Sequence, residues 1–132
     1  ATGQALVKSS GDDYDTEWTT ILPIYQISGA IDSNASNRYL DSHGVPTNDV
    51  PIYLPVDMKL IAISASTSGT ETWTAEIHVG GSLVTGASLS ITAATNAYST
   101  YDVDFSAGDG VEIYCNGSSI RKPRIIAWFK RR

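Results

Sequence analysis

The chain has 132 residues, 42% of them hydrophobic and only 17% charged, with a formal net charge of −5. That length makes one domain, able to bury roughly two-thirds of its unfolded surface without a metal or disulfide staple, and leaves no material for a second core. The longest apolar run, near Leu60 to Ile63, falls far short of the roughly 20 residues that span a bilayer, so no membrane insertion is expected, and the single cysteine, Cys115, excludes an intrachain disulfide.

Residues 3–18 read Gly3-Gln4-Ala5-Leu6-Val7-Lys8-Ser9-Ser10-Gly11-Asp12-Asp13-Tyr14-Asp15-Thr16-Glu17-Trp18. The order of Gly-Gln, a hydrophobic pair, Lys, a Ser/Gly turn, Asp-Tyr-Asp and Trp closely resembles a short module of phage tail fibres and other phage virion proteins. Ala5 departs from it, standing where the module usually has a larger β-branched residue. The resemblance implies a docking arm over residues 1–20 ahead of a domain over residues 21–132, its contacts made by Leu6, Val7, Lys8, Tyr14 and Trp18. Leu6 and Val7 can add a strand, Gly11 turns the chain, and Tyr14 and Trp18 are anchors with polar tips. An ordinary hairpin entering the domain is the plainer alternative. The N-terminus has neither the basic stretch nor the apolar segment of a signal peptide, and a natural start at Ala1 after loss of Met predicts assembly in the host cytoplasm.

Beyond the arm, the legible period is two almost everywhere, which predicts an all-β domain. Strands are expected over Ile21 to Ser28, over Arg38 to Leu40 with Pro51 to Leu54, and over Leu83 to Ile91. Met58 to Ala65 is apolar on both faces near its start, with Leu60, Ile61, Ala62 and Ile63 in succession. From Thr72 to Val79 an apolar row (Trp73, Ala75, Ile77, Val79) alternates with Thr72, Thr74, Glu76 and His78, which predicts a half-buried strand with a solvated outer row. Tyr101, Val103 and Phe105 alternate with Asp102 and Asp104, and Val111, Ile113 and Cys115 with Glu112, Tyr114 and Asn116. Arg124 to Arg131 is apolar on both faces, Ile125, Ala127 and Phe129 on one side and Ile126 and Trp128 on the other. About eight strands, punctuated by Gly69, Gly80-Gly81, the segment Ser106 to Gly110 and Asn116-Gly117, predict a single antiparallel β-sandwich of jelly-roll type. Ile31 to Val50, the longest polar stretch, is expected to cross between sheets or to form exposed loops of the kind that carry recognition.

Charge is distributed unevenly: residues 1–120 hold all 14 acids but only Lys8, Arg38 and Lys59 of the nine bases. The other six, Arg121, Lys122, Arg124, Lys130, Arg131 and Arg132, close the chain. An acidic body repels a polyanion, so nucleic acid is not an expected partner. A neighbouring subunit, or the chain's own Asp12, Asp13, Asp15 and Glu17, fits better, and a plain solvated strand end is the alternative. Two strands with two apolar faces point to an oligomer or capsid contact at Arg124, Ile126, Trp128 and Lys130, with cover by the domain's own loops or arms as the alternative. The succession of the Ser106 to Gly110 turn, the Val111 to Cys115 strand, Asn116-Gly117, and Arg121-Lys122-Pro123-Arg124 before a final aromatic strand resembles the trimeric jelly-roll heads of phage fibres, similar in plan to tumour necrosis factor and complement-type heads. What this implies is a homotrimer in a virion, with its final strand near the threefold axis or the inner sheet. Its partners would be other tail or capsid proteins and a host surface receptor or glycan. A capsid decoration protein clamping major capsid subunits is the alternative function.

Catalytic and metal-binding constellations are not found in the sequence. His43 and His78 have no cysteine at zinc spacing, and Asp41-Ser42-His43-Gly44 cannot form a triad from sequence neighbours. Asp102 and Asp104, about 7 Å apart on one face, are expected to be a solvated acidic row rather than paired catalytic carboxylates or a calcium site. No phosphate loop, nucleophile elbow or dinucleotide fingerprint occurs. The reading is therefore non-enzymatic, without cofactor. A carbohydrate-binding or carbohydrate-active sandwich, with Tyr39, Tyr53 and Tyr98 stacking on sugar, is the more distant alternative.

Overall fold

The computed structural model describes the backbone of residues 4–8, 16–20 and 24–132, and the side chains from residue 24 onwards. Among these residues there is no helix. Strands β1 (Gln4–Lys8) and β2 (Thr16–Thr20) pair with each other as an antiparallel ribbon, Leu6 opposite Trp18. Within the segment expected to be an arm, the described residues thus form a two-stranded sheet that shares no pairing with the other described sheets.

The body follows as β3 (Ile24–Ala30), β4 (Asn34–Ala35), β5 (Arg38–Tyr39), β6 (Asp41–Ser42), β7 (Val45–Pro46), β8 (Ile52–Tyr53), β9 (Met58–Ser66), β10 (Trp73–Val79), β11 (Ser82–Ile91), β12 (Asn96–Phe105), β13 (Gly110–Asn116), β14 (Ile120–Arg121) and β15 (Arg124–Arg131). One sheet has the order β12-β9-β15-β3-β6-β7; the other has β11-β10-β13, with β5 and β8 along the far edge of β13. With β5 and β8 counted as one interrupted strand, eight principal strands fall four and four. The large sheet takes them in the order first, eighth, third, sixth, and the other in the order second, seventh, fourth, fifth, all pairings antiparallel. That is the double Greek-key winding of a jelly roll, the expected fold.

Alternation produces the core. The inward rows of β9 (Leu60, Ile63), β15 (Ile125, Ala127, Phe129), β10 (Ala75, Ile77) and β13 (Val111, Ile113, Cys115) are fully buried. Phe105 and Phe129 meet edge to face with centroids 5.2 Å apart, and each buried ring contributes about 1.5–3 kcal/mol through the area it removes from water. Cys115 is the buried hydrophobe its strand position implied, and burial pushes its thiol up. The sheets come close together at Gly29 of β3, where an added Cβ would lie 2.9 Å from the Ile113 side chain. Gly80 and Gly81, at φ +62° and +81°, form the two-residue turn that pairs Val79 with Ser82, a conformation that side chains with a Cβ adopt at a cost.

Three expectations are corrected. First, Ile31 to Val50 crosses between the sheets as expected, but not as a plain polar loop: it carries β4 to β7, and Ala35, Leu40 and Thr47 within it are buried. These two-residue ladders are too short to show a period. Thr47 replaces the missing strand residue between β5 and β8, its Oγ1 accepting the Ile113 N–H (3.0 Å) and donating to the Leu40 carbonyl (2.9 Å). Second, the two apolar faces of the run Leu60 to Ile63 do not come from plain alternation: Ile61 and Ala62 are both half-buried, away from the core row. Leu60 and Ile63 both point inward, because a register shift sets Phe129 against Leu60 and Trp128 against Ala62, skipping Ile61. Third, the outer row of β10 is not solvated, for the reason given below.

Candidate functional site

Arg124, Ile126, Trp128 and Lys130 form the outward row of β15, which is flanked by β9 and β3. Ile126 stands between Ser64 and Ser28, and Trp128 between Ala62 and Gln26. Beyond β9, Tyr98 lies opposite Ser64 and is 81% exposed. The Trp128 indole N–H donates to Ser64 Oγ at 3.4 Å, so the ring is tethered to a floor of small side chains. Ile126 and Trp128 are half-buried, with Arg124 and Lys130 exposed at the two ends of the row. A cleft of about 230 Å³ opens beside it, bounded by Ser64, Ser66, Asn96, Tyr98, Arg124 and Ile126. This is a sheet face with aromatic and aliphatic centres, small neighbours and charged ends. The other expected contact residues are not comparable with these: Tyr14 and the side chains of Leu6, Val7, Lys8 and Trp18 lie outside the described residues.

The basic chain end is partly matched from within the domain. Arg121 meets Glu71 (3.8 Å), Lys122 meets Asp32 (3.4 Å), and Arg132 meets Asp104 (3.5 Å) while donating to the Phe105 carbonyl. The Arg121 backbone N–H, together with the positive charge beside it, holds the Glu71 carboxyl below its ordinary range. Asp12, Asp13 and Asp15 lie outside the described residues, as does the side chain of Glu17.

On the other sheet the outward rows close over themselves. His78 and Glu76 are each 7% exposed and Glu112 5%. β13 and β5 bring Tyr114 and Tyr39 alongside. His78 stacks on Tyr114 at 4.7 Å, and Tyr39 meets both rings edge-on. Glu76 Oε1 accepts from His78 Nε2 at 2.7 Å and Oε2 from Asn116 at 2.8 Å; His78 Nδ1 lies 2.9 Å from the Tyr39 hydroxyl. Because a carboxylate only accepts, the His78 proton sits on Nε2 and Tyr39 donates to Nδ1 in the neutral ring. Glu112 accepts the Gly81 N–H at 2.7 Å, bracing the β10–β11 turn. Burial, reinforced by Glu112, Tyr114 and Glu76, pushes the Tyr39 hydroxyl up and keeps it a donor. The expectation of a solvated His78 is overturned, because two tyrosine rings from neighbouring strands roof it. A local signal did exist: His and Glu recur two apart on one strand, and Glu and Tyr two apart on another.

The remaining candidates do not converge. Asp102 and Asp104 are exposed and paired with Lys59 (2.8 Å) and Arg132, and Lys59 holds the Asp102 carboxyl below its ordinary range. Glu112 sits on the opposite sheet. His43, at φ +53°, occupies the tip of the β6–β7 turn. Tyr39 is built into the network, while Tyr53 and Tyr98 project from different sheets. Among the described residues no three His, Cys, Asp or Glu side chains are grouped to hold a metal.

No protein-family model and no curated protein matches the chain. Among solved structures it is similar to a protein of the disulfide-linked pili that form Bacillus endospore appendages, at 15% identity over 83% of this chain and 89% of that one, with a TM-score of 0.44. It is also similar to a chain in the structure of infectious bursal disease virus, Gx strain, at 12% identity over 97% of this chain but only 37% of that one, with a TM-score of 0.39.

Proposed function

We propose that the chain is a non-enzymatic structural protein of a bacteriophage particle, a homotrimeric fibre or spike head that attaches to the host surface. The observation that carries this reading is the outer face of the large sheet. Ile126 and Trp128 sit half-covered among Ser, Ala and Thr side chains, with the larger Gln26 and Tyr98 at the margins. Such small neighbours let a second sheet approach to the ordinary face-to-face distance of about 10 Å. A tryptophan at the centre of a face with small neighbours is the kind of anchor that dominates an interface, and charged ends make a suitable rim. A ring of three copies closes through one repeated contact without leaving an open end. The tail-fibre-like pattern of residues 3–18 supplies the phage part of the reading, and the loops at the ends of the sandwich are the surfaces left to meet a receptor.

The test is light scattering on the purified protein and on Trp128→Asp, followed by incubation with bare capsids and with bacterial cells. A trimer that binds cells, and a variant that becomes monomeric while staying folded, are expected. A trimer that coats capsids and ignores cells would make the protein a decoration protein instead. An unchanged mass in the variant would remove the sheet-face argument.

A further inference from the structure

β3 is open along most of one side. Its ladder with β15 runs the whole length from Ile24 to Ala30, but on the opposite side β6 meets it only at Ala30, through Asp41. Among the described residues no strand pairs with Ile24 to Ser28 on that side. The exposed stretch Ile24-Tyr25-Gln26-Ile27-Ser28 has none of the usual protections of an edge: no charge, no proline and no bulge. Beside it, where the two sheets part, a groove of about 260 Å³ is walled by Tyr25, Ile27, Ile52, Leu54 and Val56, with Arg131 among its lining residues. Ile24 (61% exposed) and Tyr53 (66%) stand unshielded nearby. An unpaired edge next to an apolar groove is the arrangement that accepts an added strand: backbone bonds give affinity and the groove takes alternate side chains.

We propose that this edge and groove accept the N-terminal ribbon, residues 4–20, of a second copy of the chain. This rests on the reading of the protein as a self-assembling particle component. The ribbon suits the site in three respects. Among the described residues its two strands pair only with each other, and an isolated two-stranded ribbon is marginal in water until it packs on something. Ala5-Leu6-Val7 supplies small and apolar residues at alternate positions. Asp12, Asp13, Asp15 and Glu17 give it a negative charge, opposite in sign to Arg131 in the groove and to Lys130 beside it. Only residues 21–23 separate β2 from β3, a span of at most about 10 Å, so the ribbon joins the body at the end of the open edge strand.

Disulfide trapping with full-length chains tests this. One chain carries Gln26→Cys on the open edge; the other carries Ala5→Cys, Leu6→Cys or Val7→Cys in turn. Cys115 is buried, so the unmodified protein serves as the uncrosslinked control. Oxidation of the mixture is expected to give a two-chain species for at least one ribbon position. Arg131→Glu in the acceptor should reduce its yield, and Asp13→Lys in the donor should restore it. If a chain bearing both cysteines closes only on itself, or if an intact oligomer gives no crosslink at any position, the proposal is overturned. Light scattering before oxidation separates the second result from failure of the assembly reading, in which the protein would already be monomeric.

Discussion

On β13 the residues pointing away from the core, Glu112 and Tyr114, are covered by side chains of β10 and β5; on β15 their counterparts, Ile126 and Trp128, are covered, among the described residues, by nothing beyond their own sheet neighbours. The first face is written in polar residues and ends up buried, every carboxylate and ring nitrogen partnered within the chain. The second is written in apolar residues and ends up half-open. The difference teaches that alternation assigns a residue to a face, whereas cover is decided by which strands lie next to it. A polar row flanked by tyrosines can be finished business, and an apolar row flanked by serines can be an invitation.

The sharpest way to break that comparison is Glu76→Ala. It removes the acceptor for both His78 and Asn116, leaving a buried imidazole N–H unpaired, and is expected to cost about 3 kcal/mol of stability. Oligomer mass should not change, because this face is closed. Denaturant unfolding combined with light scattering checks both halves. A stable but dissociated variant would mean that the polar face, and not the Trp128 face, makes the contact.

Thr47→Val is the next largest effect. It keeps the shape of the side chain but leaves the Ile113 N–H without its acceptor; the Leu40 carbonyl keeps the Thr47 N–H and the Ile113 carbonyl keeps the Leu40 N–H. One orphaned buried donor costs about 2 kcal/mol. Because Thr47 completes the edge of the β13 sheet, hydrogen exchange should quicken at Ile113, while amides of the large sheet stay protected. Uniform loss of protection in both sheets would mean that the broken strand is not a local unit.

Much of this architecture was legible in the chain and some was not. The period-two rows set β10, β13 and β15 almost to the residue, and Gly80-Gly81 marked its turn, because those features depend only on near neighbours. In the segment 31–50 the strand at Arg38 and the crossing between sheets were legible, but β4, β6, β7 and the buried Thr47 were not, since two-residue ladders have no period and Thr47 acts through contact with a residue 66 positions away. The buried network was missed because Tyr39 reaches His78 only after β5 has joined β13. The open edge of β3 has no local signature at all: a strand reads the same whether or not another lies beside it.

The smallest expected effect concerns the rim of the large sheet, where Lys59 and Asp102 pair at 2.8 Å in the open. The ammonium, by hydrogen bond and by charge, holds the Asp102 carboxyl below its usual 3.8 and is itself held above 10.5. For the carboxyl, a lowered folded value means that its contribution is complete above the unfolded value and is lost as pH falls through the folded one. For the lysine, a raised folded value means that the contribution is complete below 10.5 and fades as pH rises through the folded one. Asp102→Asn should therefore lower the neutral plateau slightly, where the pair's contribution is complete, and so flatten the fall at both ends; the loss is small because an exposed pair is largely screened by salt. Melting temperatures from acid to alkaline pH, at low and high salt, read this directly. A large loss at neutral pH and high salt would show that the rim pair is covered, and would extend the closed character of the polar face to the edge of the open one.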